Sequence, residues 1–163
     1  MTKKLLLSLI ALSLFIGCNQ PENNTKNDVA TEAAEASEKH FELAVYMGRL
    51  QRYAEKLHYA GQSQNWVLAD FYNHELFETA EEVAEAHIIE DGLNVSELAE
   101  SIMLPALKNM EEGLKKPDIE SFKLSYQAVV NSCNACHAKA EHPYIKIVVP
   151  QGMNSYPNQD FRP

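Results

Sequence analysis

The residues best equipped for chemistry stand near the C-terminus, in the run Ser132-Cys133-Asn134-Ala135-Cys136-His137. Two thiols three positions apart, with an imidazole directly after the second, open three chemistries: covalent haem attachment, a redox dithiol, or part of a zinc site. Haem attachment uses every part of the spacing. The thiols add to the two vinyl groups as thioethers, and the imidazole that follows meets the iron as its proximal ligand. A redox dithiol wants its first cysteine at a helix N-terminus beside a sheet, where the dipole stabilises the thiolate. Here the pair falls some four turns inside a helical pattern, with no sheet in view. Zinc would need His142 to join Cys133, Cys136 and His137 across a helix end that runs into Pro143. Compact zinc modules draw instead on two separated ligand pairs.

The N-terminus supplies the compartment. "MTKKLLLSLIALSLFIGC" has two lysines, an apolar run from Leu5 to Ile16, and then Gly17-Cys18. The run is too short and wrongly flanked for a membrane span and reads as a secretory signal. Its ending, "LFIGC", resembles a bacterial lipobox, in which cleavage before Cys18 leaves that residue to carry lipid. An ordinary signal peptide with a chance cysteine is the plainer alternative. The expectation is export to the periplasmic side of a bacterial membrane, with a lipid anchor on Cys18. Of the 3 Cys, Cys133 and Cys136 are then left over, and outside the cytoplasm a free pair tends to oxidise unless something occupies it. Covalent haem attachment also takes place outside the cytoplasm, so the two ends of the sequence agree.

Between them, four segments are expected: a signal peptide over 1–17, a polar tether over 18–36, a helical domain over 37–142 and a Pro-rich tail over 143–163. The tether is acidic and poor in large apolar residues, so its first half has little to bury. Its second half, with Ala33, Ala34 and Ala36, could extend the first helix. The chain has 14 Lys and Arg against 23 Asp and Glu, a formal net charge of -9. Loss of Lys3 and Lys4 with the leader deepens that negative balance. It argues against nucleic acid and anionic membrane surfaces as partners and for a basic protein partner, if any.

The domain must position the motif, and its periodicity is helical almost throughout. Leu43, Met47, Leu50, Ala54 and Leu57 share one stripe; so do Ala69, Tyr72, Leu76, Ala80 and Val83. A third stripe is Leu98, Ile102, Ala106, Met110 and Leu114. A fourth is Ile119, Phe122, Tyr126, Val129, Cys133, Cys136 and Ala140. Such spacing is that of amphipathic helices. "AGQSQN" breaks the first pair, Asn94 with Glu97 offers a capping box, and Asp118 after Pro117 is a candidate N-cap. Pro105 predicts a kink near residues 101–104. Short connections make sequential helices antiparallel neighbours, which gives an all-α, up-down-up-down four-helix bundle carrying haem on its last helix. No strand pattern precedes residue 144. The tail is irregular: "YIKIVV" suits an extended run against the bundle, over one edge of the site, and disorder is an equal expectation beyond Met153.

A helical bundle whose last helix carries Cys133, Cys136 and His137 near its C-terminus resembles the class II c-type cytochromes, the cytochrome c′ group. The resemblance covers residues 37 to 141 and is architectural except at those three positions. It implies one covalent haem c with His137 on the iron. It also implies, where no sixth ligand is present, a five-coordinate iron open to NO or CO, and dimers formed through the first two helices. The connection "AGQSQNW", the tail and the lipid anchor depart from that pattern.

The sixth position decides between carrier and gas binder. Antiparallel pairing puts the early turns of the first helix opposite His137, and Met47 falls there on the core-facing stripe. A Met47 thioether would complete His/Met ligation, which raises the reduction potential and suits electron transfer; core filling beside the haem is the alternative. Gln51 and Arg52, one turn on, are within reach of the haem edge or its propionates, and Arg49 points to a flank. Exposed arginines paired with a nearby glutamate are the alternative. His40, Met103, Met110 and Met153 are lesser candidates, and His58, His74 and His87 are assigned no role. The expected function is an exported monohaem cytochrome c carrying single electrons to a redox partner, with no enzymatic activity. NO or CO binding at an open iron is the alternative.

Overall fold

The computed structural model describes the backbone of residues 25–152 and 154–163, and side chains from Leu43 onward except Met153. The expected signal peptide and Cys18 lie outside the described residues, and so do the side chains of His40 and Met153. Within them the chain is all-α apart from one minute hairpin. Helix α1 spans Thr25–Gln62 and α2 Trp66–Glu85; the hairpin pairs β1 (Ile89–Glu90) with β2 (Leu93–Asn94). The third helical rod is α3 (Val95–Leu98), a π-helical turn (Ala99–Met103) and α4 (Leu104–Leu114), and α5 follows over Ile119–Lys139. Among the described residues no helix is long and apolar enough to cross a membrane. Because α1 begins at Thr25, the second half of the segment expected as a tether is helical.

Local chemistry sets the boundaries. Asn65 caps α2 by accepting from the Leu68 amide, Asn94 caps α3 by accepting from Glu97, and Asp118 caps α5 by accepting from Glu120 and Ser121. Each satisfies an amide that a helix start leaves without a partner. The unexpected hairpin turns on Asp91 and Gly92, both at positive φ (49° and 81°), which matches the twist of a two-residue connection. Two residues per strand are too few to leave an alternating pattern.

The burial stripes of α1 and α2 are as expected, with Leu50, Ala54, Leu57, Ala69, Tyr72, Leu76, Ala80 and Val83 all in the core. The third rod differs. Its buried face is Val95, Ala99, Met103, Leu107, Met110 and Leu114, so Leu98, Ile102 and Ala106 each miss it by one position. Steps of four drift round an α-helix, and the wider π turn takes up that drift while also accommodating the amide that Pro105 lacks. The irregularity expected from Pro105 therefore takes the form of a widened turn just before it.

Helix α1 packs along α2, α2 against the third rod, and the third rod against α5. Helices α1 and α5 meet where the Phe122 ring lies over Gly61. A Cβ on Gly61 would stand 2.0 Å from the ring's Cζ, so only glycine permits this approach. Farther along, the Tyr126 hydroxyl donates to the Ala54 carbonyl at 3.0 Å. The order of these two contacts makes α1 and α5 antiparallel. His58, to which the sequence assigned no role, is buried between Tyr59 and Tyr126.

The tail corrects the expectation of disorder beyond Met153. Phe161 is buried against Tyr59, Tyr72 and Tyr156. The Tyr156 hydroxyl donates to Glu55 Oε2 at 3.0 Å, Tyr59 and Ser155 share a hydroxyl pair at 3.1 Å, and Gln159 donates to the Tyr72 hydroxyl. Asn65 reaches the Arg162 carbonyl at 2.9 Å. The segment thus runs from the end of α5 back to the α1–α2 connection.

Candidate functional site

The site is built on the last two turns of α5. Up to Ser132 this helix buries one residue after another: Phe122, Tyr126, Val129 and Val130. From Cys133 onward none is fully buried, and Cys133, Cys136 and His137 are all half-buried. Both cysteines are free thiols one helical turn apart. Burial pushes the Cys133 thiol up to about 11, with the neighbouring Cys136 thiol adding to the effect, and burial raises Cys136 as well. A nucleophilic dithiol needs the opposite shift, toward thiolate at neutral pH. The burial of this pair thus works against a redox-dithiol role.

The chain end just beyond fixes His137. Helix α5 closes with the His142 amide on the His137 carbonyl (2.8 Å) and the Glu141 amide on the Ala138 carbonyl (3.3 Å). Glu141 takes positive φ (61°) between them. This is the paired C-terminal capping arrangement that reverses chain direction, and Pro143 prevents any continuation of the helix. A second tight turn, Ile145 amide to His142 carbonyl at 3.0 Å, brings the chain back over α5. There Nδ1 of His137 lies 3.0 Å from the Ile145 carbonyl oxygen. A carbonyl can only accept, so Nδ1 carries a proton in this contact, and in the neutral ring Nε2 is then the nitrogen with the lone pair. This is how a metal-binding imidazole is usually oriented from behind.

The zinc alternative finds no geometry. His142 Nδ1 is engaged with the Ala140 carbonyl. Among the described residues no three His, Cys, Asp or Glu side chains converge where they could hold a metal ion. A set of one imidazole and two cysteines from one helix end is a poor cage for a bare cation. It suits an iron that brings four nitrogen donors of its own and a macrocycle with two vinyl groups. On the chemistry of its donors, the Cys133–His137 turn fits haem c.

The remaining candidates lie on α1. Met47 is half-buried against the core. Counted one for one from the Ala54–Tyr126 contact, the antiparallel register sets Met47 level with Cys133. Gln51 is exposed and donates to Glu55 at 3.2 Å, while Arg52 is exposed with its guanidinium over the Tyr53 ring. Arg49 pairs with Glu82 on α2 at 2.6 Å, a charge-assisted bond that raises its pKa. None of these arginine contacts involves α5. Met103 and Met110 are core residues.

Sequence reasoning did not single out Asn134, between the two cysteines. Its side-chain amide accepts from the Ile147 amide and donates to the Ile147 carbonyl, both at 2.8 Å. The available signal was the alternation in the tail: Ile147 and Val149 pack on the core while Lys146 and Val148 are exposed.

No protein-family model, curated protein or solved structure matches the chain.

Proposed function

We propose that the protein is an exported monohaem c-type cytochrome that carries single electrons. The observation that carries this reading is the half-buried turn that sets two cysteines one helical turn apart beside an imidazole whose Nδ1 is engaged by the Ile145 carbonyl. In this reading the helices form an up-down-up-down four-helix bundle. Cys133 and Cys136 would hold haem c by thioethers, and His137 would supply a nitrogen to its iron. When bound, haem provides a one-electron iron couple.

The chain's own residues do the rest. Val129 and Val130 are buried just before Cys133, and the returning tail meets Asn134 and His137. Met47 is the residue proposed to supply a second ligand to the iron, on the strength of its antiparallel register and half-burial. Gln51 and Arg52 are already engaged with α1 neighbours, which favours a surface role for both over contact with propionates. Cys18 is the proposed lipid anchor, and the negative net charge favours a basic redox partner.

The test is the visible spectrum of the protein matured with a haem-attachment system, recorded oxidised, reduced, and reduced with CO. A low-spin six-coordinate spectrum unmoved by CO, and lost in Met47→Ala, is expected of the carrier. A high-spin ferrous iron that binds CO would replace the carrier with a gas-binding protein.

A further inference from the structure

Asn134 and the tail it holds make a second layer behind the proposed haem ligand. An asparagine amide that both donates to and accepts from one residue acts like an extra strand position. Here that residue is Ile147, two positions beyond Ile145, whose carbonyl meets His137 Nδ1. The extended backbone between them has no other described hydrogen bond to α5, so the Asn134 clamp and the turn after Pro143 together fix where the Ile145 carbonyl sits. We infer that Asn134 is a positioning residue for the axial imidazole. Through Ile147 it locks the Ile145 carbonyl onto Nδ1–H, and the tail thereby sets the orientation and basicity of His137. The inference rests on the haem reading of Cys133, Cys136 and His137.

The expected direction follows from the bond. A carbonyl accepting from Nδ1–H makes the imidazole a stronger donor and favours the oxidised iron. Releasing the clamp weakens that bond and raises the reduction potential. Alanine is a better helix former than asparagine, so Asn134→Ala leaves α5 intact. Asn131→Ala, on the exposed face one turn earlier, serves as a control.

The experiment uses the full mature holoprotein and measures three quantities in wild type, Asn134→Ala and Asn131→Ala. These are covalent haem content, reduction potential, and the hydrogen-exchange rate of the His137 Nδ1 proton read by nitrogen-15 NMR of the reduced state. Expected in Asn134→Ala alone are unchanged haem content, an upward shift in potential, and exchange faster by on the order of tenfold for two lost hydrogen bonds. Haem attached normally, with potential and exchange both unmoved, would overturn the positioning role and leave the cytochrome proposal standing. No covalent haem in the wild type would overturn both.

Discussion

The two halves of α5 solve different problems. From Ile119 to Ser132 the helix is packed by the protein itself, with Phe122 seated on Gly61, Tyr126 bonded to Ala54, and Val129 fully buried. From Cys133 to Lys139 burial falls away, and the chain instead contributes directed polar contacts: Asn134 to Ile147 and His137 to Ile145. The same helical stripe runs through both halves. One end spends its apolar face on neighbouring helices, and the other presents thiols and an oriented imidazole. A helix can thus anchor itself at one end and leave the other free for the proposed prosthetic group.

The comparison is tested most strongly at the packed end. Phe122→Ala removes the ring that covers Gly61 and stacks on Tyr126. Urea unfolding should show a loss of about 3–5 kcal/mol, with haem content per folded molecule unchanged. Loss of attached haem from the folded variant would show that the two halves are not separable. Gly61→Ala attacks the same crossing from the other side and should cost about 1–3 kcal/mol, because Phe122 cannot move without disturbing the core. A neutral result would mean that the crossing tolerates a wider spacing.

His58 offers a pH-dependent test. Burial between Tyr59 and Tyr126 holds its pKa below the free value of 6.5, and its Nδ1 has no hydrogen-bond partner among the described residues. The unfolded chain therefore takes up the proton first as pH falls. The stability contribution is complete above pH 6.5 and drains away on acidification through the folded-state pKa. Thermal unfolding from pH 8 to pH 5 should show this decline, and His58→Gln should flatten it. A wild-type curve with the same slope as the variant's would place the acid sensitivity elsewhere. The smallest effect is expected at the site end. Glu141 sits at φ 61°, and Glu141→Gly should stabilise the reversal by less than about 1 kcal/mol, the relieved strain being partly offset by glycine's entropy. A clear destabilisation would reveal a role for the carboxylate.

Much of the fold was readable because it follows from periodicity and end signals. The stripes of α1 and α2 and the caps at Asn94 and Asp118 are local properties, and local properties show in sequence. The third rod shifted by one residue because a π turn changes the number of residues per turn, which no α-helical template includes. His58 was missed since a histidine on a helix gives no sign of the aromatic neighbours it will meet across the core. The Cys133, Cys136 and His137 cluster was visible as a spacing. Asn134 was not, because its partners lie 13 residues on, beyond a chain reversal that depends on Glu141 taking a conformation sequence rarely announces. The tail's order likewise depends on distant anchors, such as Tyr156 on Glu55 and Phe161 on Tyr59 and Tyr72.

The most direct test of the central claim is the intact mass and haem stain of the mature protein after full denaturation, alongside Cys133→Ser/Cys136→Ser. Expected is one haem that stays with the wild-type chain in denaturant and is absent from the double variant. A wild-type chain that leaves denaturation without haem, or a double variant that keeps it, would contradict the assignment of Cys133 and Cys136 as the attachment site.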